Sequence, residues 1–214
     1  MTEPTGARYL EGNGAQLVRE RALAMRVQNA LERLYQLERV ADVHAFMTRA
    51  EEGEREALLV RDAGDGTLEM ALRVPQLGDA NDLGLDPVCQ IIEGVSHFVY
   101  LADRAGMDRE ATQLEMELQA EVDKYVVLAS SHAALDVTAS AALRARLYER
   151  VHFSHVEESE LGERYRVAND LAHGFVRRLE TRFLAQKSWG AMRDELRRFF
   201  RMGQADKVRL GRAA

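Results

Sequence analysis

The chain has 214 residues, 46% of them apolar and 30% charged, with a formal net charge of −6. That is enough apolar material for one compact domain and an ordinary soluble surface. A single cysteine, Cys89, excludes an internal disulfide, and the overall acidity speaks against a nucleic-acid binder, which needs a broad basic footprint.

The opening residues hold Pro4, Gly6, Gly12 and Gly14, and residues 1–14 are expected to be a mobile N-terminus. They contain no basic stretch leading into an apolar run, so no secretory signal is expected. No window is apolar enough for a membrane span. These features together point to the cytoplasm.

From Gln16 to Glu38 the residues Leu23, Val27, Ala30, Leu34 and Leu37 recur every three or four positions, the mark of an amphipathic helix. A short helical piece is expected around "DVHAFMTRA". The period then changes. Leu68, Met70, Leu72 and Val74 alternate with Glu69, Ala71 and Arg73, and "AGDG" supplies a turn. This predicts a β-hairpin over 56–74, the only sheet expected, which must pack on helices to be stable.

Everything after Pro87 reads as helix. Asp86 is the expected N-cap, with Pro87 at the first helical position, and Val88, Ile91, Ile92, Val95, Phe98, Val99 and Ala102 form a wide apolar face. Further helices are expected over about 108–130, from 138 past Val151, over 159–184 and over 189–203. The fold class is therefore mainly α (α+β), an antiparallel bundle of five to six helices with one β-hairpin, built on residues 15–203 as a single domain.

Four features could carry chemistry. Glu121 lies between Leu114, Leu118 and Tyr125 in what should be an apolar stripe, with Glu115 and Glu117 at its flanks. Buried carboxylates are costly unless paired, so a structural pair with an arginine from another helix, or a place where the stripe reaches solvent, is the leading expectation, ahead of a ligand or acid–base role. Glu93, His97, Tyr100 and Arg104 share a second face, opposite the apolar one. It could line a cleft, although a solvated face with one Glu–His pair is the simpler expectation. Glu149 and His152 form a Glu-x-x-His pair, followed by His155. Carboxylate-bridged di-metal bundles need two such pairs, which leaves a mononuclear site as the surviving version. No phosphate-binding glycine loop, zinc-protease motif or nucleophile signature occurs.

The fourth feature is the C-terminus. Residues 187–214 carry eight basic and three acidic side chains, +5 in all, which leaves −11 for the remainder. Residues 204–214 are read as a basic tail after the last helix. With Arg197, Arg198 and Arg201, this end could engage another protein, or dock on the chain's own acidic body. Peripheral contact with an anionic membrane is a lesser alternative, and nucleic acid is disfavoured.

Two functional expectations follow. The leading one is a protein-interaction or regulatory module without a cofactor, not an enzyme, binding another protein or itself as a homodimer. The alternative is a helical-bundle metal-binding protein or enzyme, with a divalent metal such as Fe, Mn or Zn held by residues drawn from Glu93, His97, Glu115, Glu121, Glu149, His152 and His155.

Overall fold

The computed structural model describes residues 17–62, 68–78, 84–150 and 159–213. The N-terminal stretch, the turn of the hairpin, His152 and His155 lie outside them. The described residues form seven α-helices and a small three-stranded sheet, a mainly α fold with a β element. Among them no helix is long and apolar enough to cross a membrane.

Helix α1 (Val18–Tyr35) buries Ala24, Val27, Leu31 and Tyr35; of the face expected from the sequence only Val27 is fully buried, while Leu23, Ala30, Leu34 and Leu37 are half-buried at its side. Two strands of the expected hairpin follow, β2 (Ala57–Asp62) and β3 (Leu68–Val74), paired antiparallel with Leu58 opposite Leu72. The helical piece expected around residue 45 is instead one 3-10 turn, Val43–Ala45, leading into β1 (Met47–Arg49). β1 runs parallel to β3 on its free edge, where the Leu72 amide donates to the Phe46 carbonyl at 2.8 Å and Ala50 donates to Val74 at 2.9 Å. A parallel pairing needs a crossover, and the chain passes through β2 between β1 and β3, so local periodicity could not reveal it.

Helix α2 (Leu85–Gly106) is capped by Gly84 rather than Asp86. Asp86 lies within its first turn, accepting from the Gln90 amide at 2.6 Å. Helix α3 (Gln113–Ser130) opens with a capping box: Thr112 accepts from the Glu115 amide, and the Glu115 side chain accepts from the Thr112 amide. Pairs between α2 and α3 run in opposite order along the two chains. Tyr100 and Arg104 reach Glu115, Ser96 reaches Asp123, and Glu93 reaches Lys124. The helices are therefore an antiparallel hairpin.

Helix α4 (Val137–Arg144) and α5 (Glu160–Leu179) each run on into a widened π turn, Ala145–Glu149 and Glu180–Leu184. α6 (Trp189–Arg201) stops at an extended Met202, and the basic tail then forms a seventh helix, α7 (Gln204–Arg212), packed on α5. Docked there, Lys207 is fully buried, and Gly211 lies so close to α5 that a Cβ on it would stand 2.7 Å from the Leu171 carbonyl oxygen. The aromatic core joins these layers. Tyr35 stacks on Phe200, whose edge meets Tyr100, and Phe175 stacks on Phe199.

Candidate metal centre in the α2–α3 hairpin

Helix α2 is enclosed on all sides at its middle, by α1, α3 and the sheet, and every residue from Gln90 to Tyr100 is buried. Glu93, His97, Tyr100 and Arg104 are 4, 6, 0 and 6% exposed. The expected solvated face is thus corrected. The wheel located the polar stripe correctly, but the polar stripe of α3 covers it.

The stripe divides into two networks. Toward α7, the Tyr100 hydroxyl and Arg104 guanidinium donate to Glu115, and Arg104 also donates to the Met202 carbonyl at 2.8 Å. Beside this, Asp123 accepts from Ser96 at 2.6 Å and from Tyr35 and Gln119. The Lys207 ammonium donates to Gln119 at 2.8 Å and stands 4.3 Å from the Tyr100 ring. Every polar group named in this half has a partner, and it reads as a structural tie.

The other half is different. Glu93 and His97 on α2 meet Glu117 and Glu121 on α3, and Glu56, just before β2, joins them. One ligand atom each from Glu93, His97 and Glu117 lie within 4.8 Å of one another, all three residues buried. Nε2 of His97 is in ion-pair contact with Glu117 at 3.5 Å, too long for a good hydrogen bond, and has no hydrogen-bond partner. Glu56 is half-exposed as a residue, but its Oε2 is buried and also lacks a hydrogen bond. That oxygen lies 3.1 Å from where a Cβ on Gly94 would stand, one residue from Glu93. Buried polar atoms without partners are rare in folded proteins, and two of them converge here.

Charge explains the rest. Four carboxylates meet one ammonium and one imidazole. Lys124 donates to Glu121 at 2.7 Å and to Glu93 at 3.1 Å. The partner of Glu121 is therefore a lysine one turn away on its own helix, and not an arginine from another helix. Burial would lower the Lys124 ammonium, but Glu121 and Glu93 hold it raised. Burial would raise Glu93, and Lys124 and His97 bring it below the usual range. Glu121 stays raised by its burial. Glu56 is pushed up to about 8, by burial first and then by the charge of Glu93. Burial alone would lower His97, yet the carboxylates of Glu117, Glu56 and Glu93 raise it to about 9. At neutral pH two of these groups therefore hold protons to relieve an excess of negative charge. A cation could do the same.

Other candidates fall elsewhere. Glu149 is half-exposed and pairs with Arg144 at 3.0 Å, with His173 at 3.4 Å. Arg197 donates to the Leu34 carbonyl and to Asp194, and Arg198 chelates Glu195. Burial pushes the Cys89 thiol up to about 11, so it is no thiolate nucleophile near neutrality. Sequence reasoning did not nominate Glu56 or Glu117 as ligands. The i,i+4 spacing of Glu117 to Glu121, matching that of Glu93 to His97, was the available signal for one of them. Compared with protein families, with characterised proteins and with solved structures, the chain matches none.

Proposed function

We propose that this chain is a metal-binding protein that holds one divalent first-row cation between α2, α3 and the start of β2. Glu93, His97 and Glu117 are the ligands, and Glu56 completes the set. The carrying observation is that one ligand atom each from the buried Glu93, His97 and Glu117 lie within 4.8 Å of one another, with His97 Nε2 lacking a good hydrogen bond.

Ligand atoms on opposite sides of a cation bound at about 2.1 Å stand about 4.2 Å apart. Shifts of a few tenths of an ångström in each side chain therefore close the set around an ion. One imidazole with carboxylates suits Mn(II), Fe(II) or Zn(II) better than the all-oxygen preference of Ca(II). On binding, the ion displaces the His97 and Glu56 protons. Lys124 remains between Glu121 and Glu93, neutralising the carboxylate that the ion does not take. The site joins segments distant in sequence, so metal binding would contribute directly to folding stability.

Elemental analysis of protein loaded separately with each ion and then desalted tests this. One equivalent of at least one ion per chain is expected. Content far below stoichiometric for all three would end the proposal.

A further inference from the structure

A second site, which shares no lining residue with the metal centre, lies at the C-terminal end of α3. The seam between α1 and α6, closed at one end by the last turn of α3 and residues 131–135, holds a groove of about 530 Å³. Leu34, Val126, Val127, Leu135, Trp189 and Met192 give it an apolar lining, with Ser130, His132 and Arg193 as its polar groups. That volume falls within the range of small-molecule sites, and an apolar lining with few polar groups is their usual composition. Trp189 is 42% exposed here, an unusual cost for the largest apolar side chain.

The groove continues into a second hollow of about 500 Å³, sharing Leu34 and Arg193 with it. This second hollow is lined by Arg33, Arg193 and Arg197 against one acid, Asp194. Arg197 is held by Asp194 and the Leu34 carbonyl. Arg193 makes no ion pair among the described residues, and Arg33 donates only to the Asn29 carbonyl of its own helix. An apolar trough thus leads to two guanidinium groups without a counter-ion among the described residues, on a chain whose net charge is −6.

We infer that this seam binds an anionic amphiphile, an aliphatic chain in the groove of Trp189 and a carboxylate head between Arg33 and Arg193. Neither half explains the other partner classes as well. A cationic or neutral amphiphile would leave the arginines unanswered, and a free small anion would leave the apolar trough uncovered. The seam shares no residue with the metal centre, and either site can fail without the other.

Trp189 is the chain's one tryptophan, so its fluorescence reports on the groove directly. The full chain would be titrated with dodecanoate below its micellar concentration, and in parallel with dodecanol and dodecyltrimethylammonium. A saturable blue shift is expected with dodecanoate. Affinity at least about tenfold weaker, which is about 1.4 kcal/mol, is expected for the other two. The exposed double substitution Arg33→Glu with Arg193→Glu should abolish the preference for the anion. Val127→Phe, which fills the trough, should abolish binding, with an unchanged circular dichroism spectrum showing that the variant is folded. A shift that never saturates, equal affinity for the cationic amphiphile, or full binding by the folded Val127→Phe variant would each overturn the inference.

Discussion

Nε2 of His97 stands 3.5 Å from the carboxylate of Glu117, across the α2–α3 interface, and both side chains are buried. The contact is an ion pair only while His97 is protonated, and it is the geometry a metal ion would take over. Protons and metal therefore compete for the same atoms. Because His97 and Glu56 hold their protons up to about 9 and about 8, apparent metal affinity should rise from pH 6 to pH 9. Calorimetric titration in buffers of different ionisation enthalpy should show protons released on binding. Affinity independent of pH over this range would contradict the assignment of these two ligands.

Lys124 and Glu121 should not be equivalent. Replacing Lys124 by Met strands two buried carboxylates, Glu93 and Glu121, and breaking a buried pair this way costs about 3–5 kcal/mol. Glu121→Gln leaves the ammonium paired with Glu93 at 3.1 Å, and a cost of about 1–3 kcal/mol is expected. Urea denaturation of the metal-free variants measures both. A larger loss for Glu121→Gln than for Lys124→Met would show that Lys124 is not the shared cation.

Gly94→Ala sets two effects against each other. Alanine gains about 1 kcal/mol of helix propensity over glycine. The added Cβ, however, would stand 2.6 Å from Leu72 Cδ1 and 3.1 Å from Glu56 Oε2. Leu72 is fully buried, so it has no free direction in which to move, and overpacking of this kind costs about 1–3 kcal/mol. Net destabilisation is expected, together with weaker metal binding through displacement of Glu56. A stabilised variant that binds metal normally would contradict the position of Glu56.

Lys207 predicts a pH effect on stability itself. Burial pushes its ammonium down to about 7, against the pull of Asp123 and Glu115 and with the help of Arg104. In the unfolded chain the lysine keeps its proton to about 10.4. Between those values the unfolded state binds more protons, so this residue makes stability rise with pH from about 7 to 10. The slope approaches 1.4 kcal/mol per pH unit. His97, raised in the folded state, acts in the other direction, so the measurement is a difference. Wild type minus Lys207→Met should climb over this window, and a flat difference would show that Lys207 is charged in the folded protein.

Much of the architecture was legible from period alone, because the apolar stripes of α1, α2, α3, α5 and α6 are strong and the alternation in β3 is clear. The polar stripe Glu93, His97, Tyr100, Arg104 was equally legible as a face. Its burial was not, since a helical wheel orders side chains around one axis and is silent about the neighbour. The same limit hid α7. A run with Lys207, Arg209 and Arg212 resembles a solvated tail until Tyr100, Phe199 and Gln119 supply a seat for one ammonium. Glu56 was invisible for a different reason. It sits in the short approach to β2 and reaches the site only through the packing of the sheet on α2.

The central claim is that His97 and Glu117 bind a metal ion together. The most direct test is calorimetric titration of Zn(II) and Mn(II), at pH 8, into wild type, His97→Gln and Glu117→Gln. One site per chain is predicted for wild type with at least one of the two ions, and affinity for that ion lower by at least about tenfold in each variant, the scale at which even supporting residues of metal sites act. Binding that both variants retain at full strength, or no saturable binding of either ion by wild type, would contradict it.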